Sequence, residues 1–283
     1  MIPVAFDYEV ADSVDHAIEL LGQHGEESKL IAGGHSLIPL MRLRLAAPTV
    51  LIDLDRLEDL RYVRDEGDYL SIGALTRHRD VHNNELVQEH CGILGYTAGL
   101  LGDPSVQHRG TLGGTLAHGD PAGDMPSVMC ALEGTLVAQG PDGERTIPAL
   151  EFFKDYFFTD LAEQEAITEI RVPKLGSNTG WSYKKFSRRS QDWAVVGVAA
   201  VVEKDNGTIS SARIGLTSMG NTPLRASAVE EALSGAGTDQ VAEAANSADE
   251  GTSPGTDDAA SSEFRRHLAR VWTRRAVEEA LGR

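Results

Sequence analysis

Two glycine pairs, each flanked by hydroxyl or histidine side chains, offer the first chemistry in this chain: AGGHS at residues 32–36 and TLGGT at residues 111–115. Glycine permits positive φ and puts no Cβ between the backbone N–H groups and whatever approaches them. Successive N–H groups in such a turn form a concave anion site, helped by a helix N-terminus behind it. Gly33 and Gly34 make the first turn, with Ala32 before them and His35 and Ser36 as added donors. Gly113 and Gly114, with Leu112 and the hydroxyls of Thr111 and Thr115, make the second, and Gly110, Gly119 and Gly123 surround it. One such turn alone is equally a matter of tight strand–helix geometry. Two of them fit a ligand with two phosphates. Neither carries the lysine of a Walker P-loop and neither is GxGxxG, which disfavours a triphosphate hydrolase and a dinucleotide site of Rossmann type. A pyrophosphate held mainly by backbone amides remains.

Other candidate groups are weaker. Asp120 and Asp124 read as acceptors for sugar hydroxyls in preference to an acid–base pair, with helix capping as the plain role for Asp124. His78 and His82 are spaced to share a metal on a helix, but there is no HExxH and no third ligand. Ser36 has no base partner for nucleophilic catalysis.

The first turn must sit between a strand and a helix. "SVDHAIELLGQHG" reads as a helix capped by Ser13 and ended by Gly25, "SKLIAGG" as a strand that stops at the glycines, and "SLIPLMRLRLA" as a helix tolerating Pro39 in its first turn. "TVLIDL" is a buried strand, so the first turn lies inside a βαβ-like unit. "LRYVRDEGDYLSIGA" and "GTLVAQGPDGERTIPA" read as hairpins, turning at Glu66–Gly67 and at Asp142–Gly143, with mostly helical sequence between them. A helix starts near Asp124 and Pro126, and "AITEIRVP" is a strand. From "GWSYKKF" onward three strand-like runs follow, the last two joined at Asn206–Gly207, then a short helix "SAVEEAL". Residues 234–262 contain almost nothing large and apolar and read as a flexible, acidic loop, with a short helix at "DQVAEAAN" as an option. "SEFRRHLARVWTRRAVEEAL" is a closing helix. We place a boundary near Ser177, separating residues 1–176, themselves divided into about 1–55 and 56–176, from residues 177–283.

The chain has 283 residues and a net charge of −17, from 43 acids against 26 cations of which only six are lysine. A surface this acidic repels phosphate backbones and anionic lipid, so nucleic acid and membrane surfaces are not expected partners. An acid-rich, lysine-poor surface suits a salt-rich cytoplasm and points to a halophilic source. Cys91 and Cys130 are far apart with no CxxC context. They cannot hold an iron–sulfur cluster, which takes about four thiolates. No run approaches the roughly 18 apolar residues of a membrane span, and the N-terminus has no signal-like pattern, so a cytoplasmic location is expected.

The two glycine turns resemble the flavin-pyrophosphate turns of the FAD-binding medium subunit of molybdenum hydroxylases, the family of carbon monoxide dehydrogenase, xanthine dehydrogenase and related aldehyde oxidoreductases. "LIPLMRLRLAAPTVLIDL", "LSIGALTRH", "AHGDPAGDMP", "KKFSRRSQDWAVVGVAA", "NTPLRA" and "SEFRRHLARVWTRRA" fall in the family's order across nearly the whole chain. In detail the chain is most similar to the carbon monoxide dehydrogenase type. The resemblance implies an α+β fold: a two-subdomain FAD-binding domain of the vanillyl-alcohol-oxidase type, then a small α+β domain with a three-stranded antiparallel sheet. It implies that the N–H groups of Ala32, Gly33, Gly34, His35 and Ser36, and of Thr111, Leu112, Gly113, Gly114 and Thr115, grip the FAD pyrophosphate. Lys29, Leu30 and Ile31 would line the cofactor. Leu101 would touch it from a helix end, and Asp124 would bond its sugar or ribityl hydroxyls. Ile167 would pack by the adenine, and Ala117 and His118 would pass under the ribityl or dimethylbenzene region. Lys185 would sit near the isoalloxazine, with Lys184 as the alternative. Trp193 stands where many relatives carry tyrosine; its ring either covers the flavin or belongs to the second domain's core.

The implied function is electron transfer. A small subunit with 2Fe–2S clusters would supply electrons, and a quinone, a nicotinamide (NAD) or another acceptor would take them. Substrate would be oxidised on a large molybdopterin-binding subunit, with no catalytic acid or base in this chain. The alternatives are a stand-alone FAD-dependent reductase of the same fold, or a non-redox interaction module that has lost its flavin.

Overall fold

The computed structural model describes residues 2–283. The chain opens with a three-stranded parallel sheet in the order Asp7–Val10, Val50–Asp53, Ser28–Ile31. The strand Asp7–Val10 has no expectation behind it in the sequence; only its last two residues are partly shielded, so it lacks a clear apolar alternation. The helix Val14–His24 covers this sheet through Ala17, Ile18, Leu20 and Leu21, is capped by the Ser13 hydroxyl and ends at Gly25.

The second layer is a five-stranded antiparallel sheet. Its order is Val63–Asp65, Tyr69–Gly73, Ala166–Pro173, Thr135–Gly140, Gly143–Pro148. Both hairpins turn where expected, with Gly67 at φ 90° and Gly143 at φ 107°. The helices His78–Asn83, Glu85–His90, Gly92–Leu100, Pro104–Arg109, Leu112–His118 and Asp124–Leu132 lie between its strands in sequence. Asp124–Leu132 is buried at every position and forms the spine of the main core with Ile72, Leu94, Leu116, Leu136 and Ile170.

The last part carries a four-stranded antiparallel sheet, Thr179–Phe186, Val196–Asp205, Thr208–Thr217 and Leu224–Arg225. The expected three strands are joined by a two-residue fourth, too short to show a period-two pattern. The closing helix Ser262–Leu281 packs on this sheet through Leu268, Ala269, Ala276, Val277 and Ala280. Residues 234–262, expected as a loop, contain Thr238–Gln240, Val241–Ala244 and Ala245–Ser247 as short helical turns. Val241, Ala244 and Ala248 are buried in the core of this part, so small alanines share the packing that larger residues usually signal.

The two halves meet along Asp124–Leu132. A Cβ on Gly215 would lie 2.1 Å from the Ser127 carbonyl oxygen, and the Ser218 N–H donates to the Pro121 carbonyl at 2.9 Å.

Candidate FAD site at two touching glycine turns

The strand Ser28–Ile31 runs straight into the first turn, and the Leu54 N–H, donating to the Ile31 carbonyl, pins its end. The helix Leu37–Leu43 starts behind the turn and tolerates Pro39 in its first turn. Gly34 has φ +73°, and the Ile38 N–H donates back to its carbonyl at 3.0 Å. Among the described residues no acceptor in the chain meets the N–H groups of Ala32, Gly33, Gly34, His35, Ser36 or Leu37. A run of successive donors without acceptors in the chain suits a bound anion. The His35 Nδ1 lies 3.0 Å from the Gly33 carbonyl and steadies the turn.

The second turn is built differently. Thr111 caps the helix Leu112–His118, its hydroxyl accepting from the Gly114 N–H at 3.2 Å. The Leu112 N–H donates to Thr76, Gly113 to Ala74 and Thr115 to Thr111. The expectation of a full row of amides over residues 111–115 is therefore corrected: four of the five already serve the fold, and the Thr111 N–H is left.

The two turns touch. A Cβ on Gly33 would lie 2.1 Å from the Arg109 carbonyl oxygen and 2.8 Å from the Gly110 Cα. On Gly114 it would come within 3.9 Å of the Ala32 Cβ. Gly33 is thus required by the approach of the second turn's backbone. Gly113 answers to the Ala74 carbonyl, 2.7 Å from its would-be Cβ. The second turn's glycines serve packing, and the first turn presents the donors.

Asp124 lies at the start of Asp124–Leu132 and is 3% exposed. Tyr183 donates its hydroxyl to Oδ1 at 2.6 Å, and Lys185 Nζ donates to Oδ2 at 2.8 Å. Burial pushes the Asp124 carboxyl up from the ordinary range, against the pull of the Lys185 ammonium and the two hydrogen bonds. Burial and the Asp124 charge push the Tyr183 phenol well up, so it stays a donor. Ser127 and Thr217 bond each other at 2.5 Å beside this group. The carboxylate keeps spare lone pairs for sugar hydroxyls, but its first partners are protein. Strand alternation sends the two lysines to opposite faces: Lys185 faces Asp124, whereas Lys184 pairs with Glu279 on the closing helix. Tyr183 was missed by sequence reasoning; its position two residues before Lys185 on one strand was the available signal.

The remaining expected site residues divide. Lys29 is exposed and Leu30 and Ile31 half-buried on the strand entering the first turn. Ala117 is exposed, and the His118 ring packs on Phe157 with centroids 4.9 Å apart. Burial pulls the His118 imidazole down, with Asp120 opposing. Leu101 is half-buried at a helix end, its carbonyl accepting from Gln107. Ile167 lies in the main core and is 7% exposed, so it offers little surface to an adenine. Trp193 is 69% exposed on the loop between two strands, which removes the reading of it as core.

His82 Nδ1 contacts the Gly95 carbonyl at 2.8 Å, and His78 is buried under Gly110 with its Nδ1 unpartnered. No group of three His, Cys, Asp or Glu among the described residues could hold a metal. Cys91 and Cys130 are buried, their thiols pushed up to about 12 by desolvation. Among the described residues no helix is long and apolar enough to cross a membrane.

Comparison with known proteins identifies the family. Residues 4–175 match the model of the FAD binding domain in molybdopterin dehydrogenase. Residues 181–280 match that of the CO dehydrogenase flavoprotein C-terminal domain. The chain is 46% identical over 225 residues to the carbon monoxide dehydrogenase medium chain of Hydrogenophaga pseudoflava, covering 80% of this chain and 78% of that one. It is 37% identical to the 6-hydroxypseudooxynicotine dehydrogenase complex subunit alpha of Paenarthrobacter nicotinovorans, over 100% of this chain and 97% of that one. A chain in a solved structure of carbon monoxide dehydrogenase from Hydrogenophaga pseudoflava superposes with a TM-score of 0.98 at 43% identity, covering 100% of this chain and 99% of that one. The free amides of the first turn, the second turn pressed against them and these matches lead to one conclusion: the chain belongs to the family of FAD-binding medium subunits of the molybdopterin dehydrogenases, flavoprotein components of oxidoreductases.

Proposed function

We propose that this chain carries FAD as the electron-transfer subunit of a molybdenum hydroxylase, between 2Fe–2S clusters on a small partner subunit and an external acceptor such as a quinone or a nicotinamide. Substrate is oxidised on a large molybdopterin-binding subunit. The observation that carries this reading is the run of six consecutive N–H groups, Ala32 to Leu37, with no acceptor in the chain and the second turn against them. When bound, FAD supplies the redox chemistry, able to exchange one electron or two.

The chain's own residues hold and shield it. The first-turn amides and the Thr111 N–H bind the pyrophosphate, with no lysine needed. Lys29, Leu30 and Ile31 flank the cofactor on the strand leading in. Asp124, held by Tyr183 and Lys185, accepts from the sugar or ribityl hydroxyls with its remaining lone pairs. Trp193 covers the flavin from its exposed loop. No cluster could be ligated by two buried, distant thiols, which agrees with clusters on another subunit. The proposed location is the cytoplasm.

The test is purification of the tagged chain from its own cells. The reading expects a yellow protein with one FAD per chain, co-purifying with a molybdopterin subunit and an iron–sulfur subunit. A colourless protein, or a flavoprotein that runs alone and oxidises NADPH with its own substrate, contradicts it.

A further inference from the structure

A second cleft lies at the far end of the helix Asp124–Leu132. Its volume is about 560 Å³, and Leu132 stands in its wall. At 1.5 Å per residue that end is about 12 Å along the helix from Asp124. None of the residues assigned above to the cofactor lines this cleft. Arg171 and Thr135 reach it from paired positions of the five-stranded sheet, Glu203 and Arg213 from the four-stranded sheet, and Leu175 from the segment joining them. Two guanidinium groups in the wall have N–H groups to spare. Arg171 donates Nε to Glu169 at 2.5 Å, and among the described residues its two terminal nitrogens meet no oxygen. The same guanidinium lies 5.6 Å from the centre of the Tyr69 ring. Arg213 donates Nη2 to Glu203 at 3.0 Å, but its Nη1 is 3.8 Å from Glu133, beyond a hydrogen bond, and its Nε is buried without a partner. Polar groups this enclosed ordinarily find their partners, so the protein leaves this guanidinium short of acceptors.

The wall selects the charge and the size of what it takes. The planar fork of a guanidinium matches a carboxylate or a phosphate. Glu133 and Glu203 also line the cleft, so a second negative charge is repelled and a doubly charged phosphate is disfavoured. The volume exceeds what an inorganic ion fills and lies in the range of small organic ligands. Leu132, Leu175 and the Tyr69 ring offer apolar surface to a carbon body. We propose that this cleft binds a small organic monocarboxylate with a flat apolar body. Arg171 and Arg213 take its carboxylate, and its body lies against Leu132, Leu175 and the Tyr69 ring. Both halves of the chain then hold one ligand, and binding to the folded form stabilises it. The site goes beyond the electron-transfer reading and does not depend on it.

The experiment follows the melting temperature of the full chain, saturated with FAD, against the concentration of sodium benzoate, sodium acetate or sodium phosphate. Sodium chloride holds the ionic strength equal in every series, so that screening is constant. Saturation with FAD keeps added anions off the diphosphate turns. Benzoate is expected to raise the melting temperature with concentration, acetate to bind at least about tenfold more weakly, and phosphate to match chloride. The Arg171 side chain is 36% exposed, so Arg171→Gln should fold, keep its FAD and bind benzoate at least about tenfold more weakly. Arg213→Gln should do the same, its own melting temperature without benzoate serving as the reference for the lost Glu203 pair. Benzoate binding that survives both variants overturns the proposal by placing the ligand elsewhere. Phosphate binding as tight as that of benzoate overturns it in favour of a general anion site. No effect of benzoate beyond that of chloride overturns it outright. A chain that takes no FAD yet binds benzoate through Arg171 defeats the functional reading and leaves this site standing.

Discussion

Lys185 Nζ stands 2.8 Å from Asp124 Oδ2, with side chains 9% and 4% exposed, and the pair joins the last sheet to the central helix of the FAD-binding part. Lys185 lies on Thr179–Phe186 and Asp124 on Asp124–Leu132. Removing one member of a buried pair strands the other charge. Lys185→Met is expected to destabilise the chain by about 3 kcal/mol in urea unfolding. Asp124→Asn with Lys185→Met should cost less than the two single changes added together. Strict additivity would show that the pair carries no coupling.

Tyr183→Phe removes the second bond to Asp124 and keeps the ring. The expected loss is about 1–3 kcal/mol, as for a buried acceptor left short of a donor. FAD affinity should also fall, because the carboxylate is less firmly oriented. Equal destabilisation with unchanged FAD affinity would restrict Tyr183 to stability.

Gly33→Ala drives a Cβ into the Arg109 carbonyl, 2.1 Å from its ideal position. Backbone cannot swing aside as a flexible side chain does, so the turns must part. FAD binding, followed by fluorescence, is expected to weaken at least about tenfold, or ~1.4 kcal/mol. Gly255→Ala, where nothing lies within 4 Å, is the control and should bind FAD normally. Unchanged affinity in Gly33→Ala would separate turn contact from cofactor binding.

His78 is buried and its imidazole is pulled down to about 4 by desolvation, with His35 adding to the effect. In the unfolded chain it titrates near 6.5, so between these values the unfolded state binds more protons. Its contribution is fully present above about 6.5 and is lost as pH falls toward 4. The total is about 3 kcal/mol at roughly 1.4 kcal/mol per pH unit. The difference in unfolding free energy between wild type and His78→Asn should therefore change by about that amount from pH 7 to pH 4. A difference independent of pH would mean that His78 titrates alike in the folded and the unfolded chain.

Trp193 is 69% exposed, so Trp193→Ala should leave the melting temperature nearly unchanged. If the ring covers the flavin, reoxidation of the reduced protein by a small dye should speed up several-fold in stopped flow. An unchanged rate would place the indole away from the flavin.

Much of this was legible in the chain. Turn glycines and caps fixed both hairpins, the Ser13 helix and the strand–glycine–helix unit at Gly33, because each rests on local chemistry. Asp7–Val10 was not legible, since an edge strand with little apolar alternation leaves no periodic mark. The packed turns at 238–247 were legible only as the optional short helix at "DQVAEAAN", because alanine fills much of their contact surface. The division of labour between the glycine turns was hidden too. Which N–H groups are spent depends on Thr76 and Ala74, which are distant in sequence from Leu112 and Gly113. Ile167 shows the reverse case, a position that the family resemblance assigns to the cofactor and that the fold buries in its core.

The most direct measurement is an experimental structure of the chain with FAD bound. The account predicts diphosphate oxygens within about 3 Å of the N–H groups of Gly33, Gly34, His35 and Ser36, with only the Thr111 N–H reaching them from the second turn. A diphosphate seated elsewhere, with the first-turn amides bonded to protein or water, would contradict it.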